Sequence, residues 1–191
     1  MLQPSSVEAL LPPARRVSSY FAELCQAMNL VARQPNVIFM GQAVAVEGTA
    51  MRKTLLDVPA EKLLELPVFE DCQLGMAIGM SLAGMLPVCI FPRWNFLLLA
   101  ANQLVLHLDK LYFYSNGGYR PKVIIRTAVA TDKPLDPGSQ HLGDFSEAFR
   151  SMLKTVVVDC LHHPHQIIPA YQRALIRDES TILVEYASEY V

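Results

Sequence analysis

The carboxylate of Glu70 is the residue in this chain best placed for acid chemistry. It lies between the short apolar run 66–69, predicted to be a buried strand, and a predicted helix over 71–85 that carries Gly75 and Gly79. An acid at such a junction would lie at the carboxyl edge of a sheet and near the positive end of a helix dipole, where open α/β folds bind ligands. On geometry alone, a plain role in helix capping is the simpler interpretation.

Phe96 and His141 are further candidates, and both have ordinary alternatives. Phe96 lies at the start of a predicted helix over 95–114, and the simpler interpretation is an ordinary core phenylalanine. His141 lies in the polar loop DKPLDPGSQHLGD, which is longer than a minimal connection needs, although an exposed loop histidine is the simpler interpretation. The cluster His162, His163 and His165 indicates a surface helix start rather than a metal site, since few ligand-type residues flank it.

Strands and helices alternate along the chain. The predicted strands are 37–40, a short one near Val68, 86–91, 123–127, 155–158 and 181–186, and the predicted helices are 17–31, 71–85, 95–114, 144–152 and 165–177. Alternation of this kind predicts an α/β three-layer sandwich, a mostly parallel sheet with helices on both faces. We expect one domain over 16–191 and a loose N-terminal arm over 1–15.

Composition excludes several classes of protein. The chain is 52% hydrophobic with a net charge of -2, which argues against disorder and against a basic surface for nucleic acid. Neither a signal sequence nor a membrane-spanning segment is predicted, so a cytoplasmic location is expected. The four cysteines are widely spaced without a Cys-x-x-Cys pair, which predicts reduced and mostly buried thiols.

The order of short motifs from about residue 36 to residue 185 resembles a known family. The matching residues are Glu70 with Gly75 and Gly79, Ala83-Gly84, Pro87, Asn95-Phe96, Ser115, Gly117-Gly118, the strand 122–126, Gln140-His141 and Ala174 with 176–178. In this order they resemble the pyrimidine-binding domain of thiamine-diphosphate-dependent enzymes. That domain forms the middle of transketolases and part of the beta subunit of the decarboxylating component of 2-oxo acid dehydrogenases.

The resemblance implies a role for each candidate. Glu70 would hydrogen-bond a ring nitrogen of the aminopyrimidine of thiamine diphosphate and so activate the cofactor, whose thiazolium ring serves as an electron sink for carbon–carbon cleavage. Phe96 would pack on the pyrimidine, and His141 would donate a proton or orient the substrate near its carbonyl. Arg93 and Trp94 differ from the family's usual small or apolar residues and could shape the substrate entrance. Arg126 and Lys133, near the loop 131–144, could accommodate a phosphorylated or carboxylated substrate, although surface solubility explains them equally well.

The chain also departs from this family. Its only Gly-Asp, Gly143-Asp144, is followed by Phe145, so the Gly-Asp-Gly motif that holds magnesium (Mg2+) and the diphosphate is missing. The resemblance therefore implies a diphosphate-binding alpha-type partner subunit, a two-plus-two hetero-oligomer, and no metal ligands in this chain. Gln42-Ala43 stands where beta subunits often carry acidic residues, which leaves the contacts of that loop open.

Three functions remain open from the sequence. Because the chain ends at Val191, where beta subunits continue into a further domain, we expect a split transketolase-like enzyme rather than a member of a large dehydrogenase complex. The alternatives are the beta subunit of a 2-oxo acid decarboxylase or dehydrogenase, and a non-catalytic binding or regulatory subunit.

Overall fold

A six-stranded, entirely parallel sheet forms the centre of the molecule, in the strand order β2-β1-β3-β4-β6-β5. The computed structural model describes residues 19–132 and 136–190, so the predicted arm over 1–15 and Lys133 lie outside the described residues. The strands are β1 (Val37–Gly41), β2 (Leu63–Glu65), β3 (Leu86–Phe91), β4 (Ile124–Val129), β5 (Val157–Cys160) and β6 (Thr181–Tyr186). The α-helices are α1 (Tyr20–Ala32), α2 (Ala50–Lys53), α3 (Glu70–Leu82), α4 (Trp94–Leu97), α5 (Leu111–Tyr114), α6 (Ser146–Met152) and α7 (Pro164–Ile176).

Helices cover both faces of this sheet, which confirms the predicted three-layer α/β sandwich. One core joins α1 and α7 to the sheet, and the other joins α3, α6 and the helical segment 94–108 to the opposite face. All six residues of β3 are buried. A strand covered on both faces needs such a continuous apolar run, and the sequence pattern of β3 predicts it correctly.

Two of the predicted elements are wrong in detail. The second strand is Leu63–Glu65 rather than a segment near Val68, whose side chain is 75% exposed. The ladder with β1 ends where the Leu66 amide donates to Gly41, because the following Pro67 has no N–H to continue it. The single helix predicted over 95–114 is instead a series of α4, a 3-10 turn over Leu98–Ala100, a π-helical stretch over Gln103–Leu108 and α5.

The start of β5 is set by a buried carboxylate rather than by the local sequence. Asp109 accepts the backbone amides of Lys154, Thr155 and Val156 at 2.7–3.0 Å, so β5 begins at Val157 and not at Thr155. Burial would raise the pKa of Asp109, but the hydrogen bonds from Lys110 and these amides outweigh it and lower the pKa to about 2. The cysteine prediction also needs correction, because only Cys89 is buried and Cys72 is exposed.

Arg126 is fully buried in the core, so the predicted role in binding a substrate is wrong. Its guanidinium pairs with Glu185, with 3.0 Å between Nη2 and Oε2, and Nη1 donates to the Thr54 hydroxyl at 2.8 Å. Tyr171 donates to the same carboxylate at 3.1 Å, and Tyr190 also donates to it. Burial by itself would lower the pKa of Arg126, but Glu185 raises it above its ordinary value, so the guanidinium stays charged.

Breaking this pair should be costly because it leaves a charge buried without a partner. Arg126→Met should lower the free energy of unfolding by about 3–5 kcal/mol in a urea titration. The double variant with Glu185→Leu should regain part of that loss, since no lone charge remains, although the tyrosine hydroxyls lose their acceptor. A single variant as stable as the unmodified chain would contradict this description of the core.

Candidate active site

Glu70 and Gln42 meet at the carboxyl edge of the sheet. Glu70 is the first residue of α3 and is 5% exposed, and its Oε1 accepts a hydrogen bond of 3.1 Å from Nε2 of Gln42. Gln42 directly follows β1. The chain leaves β1 toward β2 on one side and later returns as β3 on the other, so this contact lies at a point where the strand order reverses. Crevices at such points are where open α/β sheets bind ligands.

The hydrogen bonds of Glu70 do not support the helix-cap interpretation. Within the part of the chain that the structure describes, its carboxylate accepts from the Gln42 amide and not from the first N–H groups of α3. The residue that precedes α3, Phe69, likewise makes no side-chain cap. The carboxylate therefore faces away from its own helix, and its Oε2 makes no hydrogen bond to another described residue.

The loop after β1 is held by a second carboxylate, that of Glu65. The backbone amides of Ala43, Val44, Ala45 and Val46 all donate to Glu65, at distances of 2.7–3.1 Å. Partial burial would raise the pKa of Glu65, but these four donors outweigh that effect and hold the pKa below its ordinary value. Gln42 therefore lies between strand β1 and a loop whose backbone amides bind the Glu65 carboxylate.

Phe96 and His141 come together from two different segments. Their ring centroids are 5.4 Å apart with 58° between the planes, and both rings are half-buried. Phe96 lies on α4, directly after β3, and His141 lies on the 3-10 turn Ser139–His141 in the connection after β4. Since β1, β3 and β4 are neighbours and parallel, Gln42 with Glu70, Phe96 and His141 all follow carboxyl ends at one edge of the sheet.

Polar atoms at this edge lack partners within the described ranges. Nδ1 of His141 and Oδ1 of Asn95 are both buried without a hydrogen bond. Buried polar atoms in folded proteins are nearly always paired, so atoms left over beside a half-buried aromatic ring are suited to a polar ligand. The edge of the sheet therefore offers unpaired polar atoms beside the Phe96 ring.

Two residues predicted to shape the entrance take different places. Trp94 is completely buried and stacks on Phe149, with centroids 5.1 Å apart, so it is a core residue and the prediction is wrong for it. Its size and its place before an apolar helix favour burial. Arg93 stays at the site, with its guanidinium carbon 6.0 Å from the Phe96 ring centroid.

The three clustered histidines lie elsewhere, at the start of α7. His162, His163 and His165 are exposed, and His162 stacks on Tyr186 with centroids 4.4 Å apart. Across residues 19–132 and 136–190, no three His, Cys, Asp or Glu side chains are grouped closely enough to hold a metal ion. In the same ranges, no helix is long and apolar enough to cross a membrane.

Gln42 and Glu65 are the site residues that sequence reasoning missed. Gln42 is visible in the sequence only as a departure from an acidic position, and its contact with Glu70 joins residues 28 apart. Glu65 ends an apolar run and has no local pattern that marks it as an anchor. Both contacts depend on the pairing of β1 with β2, which residue spacing does not reveal.

The chain is a parallel α/β domain, and its candidate site lies at the carboxyl ends of β1, β3 and β4. Of solved structures, a split gene transketolase, described as an inactive beta4 tetramer, superposes with a TM-score of 0.66 at 15% identity over 87% of this chain and 50% of that one. That likeness shows the fold alone.

Sequence comparison gives the relatives. The chain is 27% identical over 161 residues to the pyruvate dehydrogenase E1 component subunit beta of Chaetosphaeridium globosum, covering 83% of this chain and 48% of the relative. It is 31% identical over 133 residues to the same subunit of Staurastrum punctulatum, covering 67% of this chain and 39% of the relative. No protein-family profile matches the chain.

These comparisons confirm the resemblance inferred from the motifs. The chain is similar to thiamine-diphosphate enzyme subunits of the E1 beta kind, and its fold is that of a transketolase-type domain. It spans about half or less of the length of these relatives.

The grip of Glu65 on the loop should be visible in hydrogen exchange. In Glu65→Gln the anion that collects four amides is lost, so the amides of 43–46 should lose at least about tenfold in protection. A carboxylate whose folded pKa is depressed contributes stability above its unfolded pKa, and that contribution is lost as the pH falls through the folded value. Loop protection in the unmodified chain should therefore fall below about pH 4, and in the variant it should not change there.

Protection factors, which correct for the intrinsic pH dependence of exchange, are the measurement. The amide of Leu161, which donates to the Val184 carbonyl of β6 at 2.8 Å, gives an internal control in the same spectrum. Equal protection of 43–46 in both chains would show that Glu65 does not hold the loop.

Proposed function

We propose that this chain is the pyrimidine-binding, beta-type subunit of a split, transketolase-like enzyme that uses thiamine diphosphate to cleave or form carbon–carbon bonds next to a carbonyl. The observation that carries this proposal is Glu70, a buried carboxylate at a strand-order reversal. Gln42 holds one of its oxygens, and the other makes no hydrogen bond to a described residue. The similarity to E1 beta subunits supports the choice of cofactor.

Each residue of the site has a task in this proposal. When bound, the cofactor supplies an electron sink for the bond cleaved beside the carbonyl. Glu70 holds a proton between its Oε2 and a pyrimidine nitrogen, and Phe96 gives the ring an apolar face that excludes water. His141, with an unpaired Nδ1 beside Phe96, is placed to donate a proton to the carbonyl oxygen of a small keto or aldehyde substrate.

In this proposal, another chain holds the diphosphate and Mg2+. The sequence lacks Gly-Asp-Gly, and the described residues hold no group of metal-ligand side chains. Hard cations such as magnesium need oxygen ligands, such as carboxylate or amide side chains. We therefore propose an alpha-type partner subunit, a two-plus-two hetero-oligomer, and an active site shared between the two chains in the cytoplasm.

The exposed side of α3 is suited to that partner. This side presents Cys72, Met76 and Gly79, with Met76 41% exposed, and the exposed Val68 lies two residues before the helix. A Cβ atom built on Gly79 would meet nothing within 4 Å. Apolar and small residues at the surface beside a half-site favour contact with a second chain.

A second candidate is the beta subunit of a 2-oxo acid decarboxylase or dehydrogenase. The sequence relatives favour it, because they are beta subunits of pyruvate dehydrogenase E1. The superposed split transketolase shares the fold at 15% identity and does not decide between the two activities. The same edge residues serve both. Assaying the complex with a 2-oxo acid and with a ketose phosphate separates them.

Glu70→Gln should abolish turnover without unfolding the chain. Loss of the carboxylic acid removes the proton that Glu70 holds, so kcat of the complex should fall at least about a hundredfold. Asp71→Asn is the matched control, because Asp71 lies next in α3 and bonds Gln103 instead of facing the site. The measurement is steady-state turnover with the chain that carries Gly-Asp-Gly, together with a thermal melt.

The chain alone should be inactive, as the split transketolase beta4 tetramer is described. Titration calorimetry should show tight binding of thiamine diphosphate and Mg2+ only in the mixed complex. Normal turnover of Glu70→Gln would overturn the assignment, and an inert mixed complex would instead favour a non-catalytic subunit.

Bulk on the exposed side of α3 should block assembly. Gly79→Trp fills open space in the isolated chain but would collide with a partner, so its affinity for the partner should fall at least about tenfold. Gly79→Ala should assemble normally and be slightly more stable, since alanine favours a helix. Analytical ultracentrifugation measures the affinity of both variants for the partner. Gln172→Trp, at an exposed position of α7, is the control for added bulk.

Normal assembly of Gly79→Trp would place the partner surface elsewhere on the molecule. The melting temperature of each variant, measured without partner, shows whether lost assembly reflects lost folding.

A further inference from the structure

We propose that Gln42 is a positioning residue that aims Glu70 at its ligand. Its amide donates to Oε1 at 3.1 Å, which fixes the carboxylate and leaves Oε2 without a hydrogen bond to another described residue, as the oxygen that would meet the pyrimidine nitrogen. The inference rests on the proposed function in one respect, because it takes the ligand of Glu70 to be that ring.

An amide suits this role because its protonation does not change. A carboxylic acid at position 42 could share or exchange a proton with Glu70, whereas the amide nitrogen of glutamine is a donor at every physiological pH. One lone pair of Oε1 is thus occupied at every pH, which favours Oε2 as the oxygen that holds the proton used by Glu70. A donor to one oxygen also removes the rotational freedom that a lone glutamate would lose on meeting its ligand.

The backbone of residue 42 is held on the strand side. Gly41 has φ +145°, and a Cβ built on it would lie 2.3 Å from the Ile90 carbonyl oxygen and 3.0 Å from Nε2 of Gln73. Only glycine permits this close approach of β1 to β3. The carbonyl of Gly41 also accepts the Leu66 amide at 2.8 Å, so the end of β1 is fixed to both neighbouring strands.

The loop side is held equally firmly. Ala43, immediately after Gln42, has φ +51°, a left-handed conformation that a non-glycine residue adopts only when its surroundings impose it. Its amide is the first of the four that bind Glu65. The backbone is therefore held on both sides of Gln42. A side chain needs such support to position a neighbouring side chain, here Glu70, within a fraction of an ångström.

The helix that carries Glu70 is fixed to the same strand. Gln73, one turn along α3, is completely buried and donates to the Ile90 carbonyl at 2.9 Å. Ile90 thus limits Gly41 on one side and anchors α3 on the other. The segments that carry Gln42 and Glu70 are therefore both held against the same residue of β3, Ile90.

The molecule offers a matched pair for comparison. Nε2 of Gln103 donates to Oδ2 of Asp71 at 3.2 Å, with the same donor, the same acceptor type and the same helix α3, but no part in the proposed site. A purely structural amide–carboxylate contact should behave like Gln103 and Asp71. Loss of a positioning contact should lower the affinity for a ligand that has the pyrimidine nitrogen and should not change the affinity for one that lacks it.

The decisive experiment combines side-chain and ligand changes in the complex with the diphosphate-binding partner. Calorimetry measures the affinities of thiamine diphosphate and of an analogue with a C–H in place of the pyrimidine nitrogen that faces Glu70. Gln42→Met keeps the length of the side chain and removes the donor. It should weaken binding of thiamine diphosphate by about tenfold, roughly the effect of one charged hydrogen bond, and leave binding of the analogue unchanged.

The controls separate this inference from the proposed function. Glu70→Gln should remove most of the preference for thiamine diphosphate over the analogue, and Gln103→Met should keep it. Equal losses for both ligands in Gln42→Met, or no loss for either, would overturn the role of Gln42 while the proposed function stands. If the unmodified complex does not distinguish the two ligands, the proposed contact of Glu70 with the ring nitrogen fails.

The contact itself can be tested in the chain alone, independently of any cofactor. In a nitrogen-15 spectrum, the side-chain amide of Gln42 should be shifted from free glutamine and should return toward it in Glu70→Ala. The resonance of Gln103 should not move. A Gln42 resonance at the free-glutamine position in the unmodified chain would overturn the inference.

Discussion

Parallel pairing of β1, β3 and β4 is the constraint on which the site depends. Strands that run in one direction end at one edge, so the residues that follow them are gathered there whatever their distance in sequence. Gln42 follows β1, Phe96 follows β3 and His141 follows β4. Each is carried on a short irregular segment or a first helical turn, where side chains can face a crevice rather than the core.

Carboxylates that collect backbone amides hold these irregular segments in place. Glu65 gathers four amides after β1, and Asp109 gathers three before β5. In both cases burial opposes the charge and the donors outweigh burial, so the pKa is lowered. The Arg126–Glu185 pair acts similarly in the core, where it ties β4 and β6 to Thr54 and Tyr171. Fixed ionic anchors of this kind give loops the rigidity that catalysis requires.

Much of the fold could be predicted from the chain because its strands and helices have clear patterns. β3, β6 and α3 fall where apolar runs and helical spacing predict them, and alternation predicts a parallel sheet. The errors arise where tertiary contacts decide. Leu63–Glu65 is a strand because β1 offers it a partner, and Trp94 is buried because Phe149 lies opposite. The sequence alone suggests that Arg126 is a surface cation. In the structure it is buried, because its charge is paired with Glu185, 59 positions later.

The sequence by itself determined the element order, the α/β class and the candidates Glu70, Phe96 and His141, because periodicity and motif order are local properties of the chain. Only the tertiary structure decided which residues meet. It paired Gln42 with Glu70 and Phe96 with His141, and it placed Arg126 and Trp94 in the core. The physical reason is that a side-chain partner is set by strand order and register, which depend on how the whole chain packs rather than on the residues near each position.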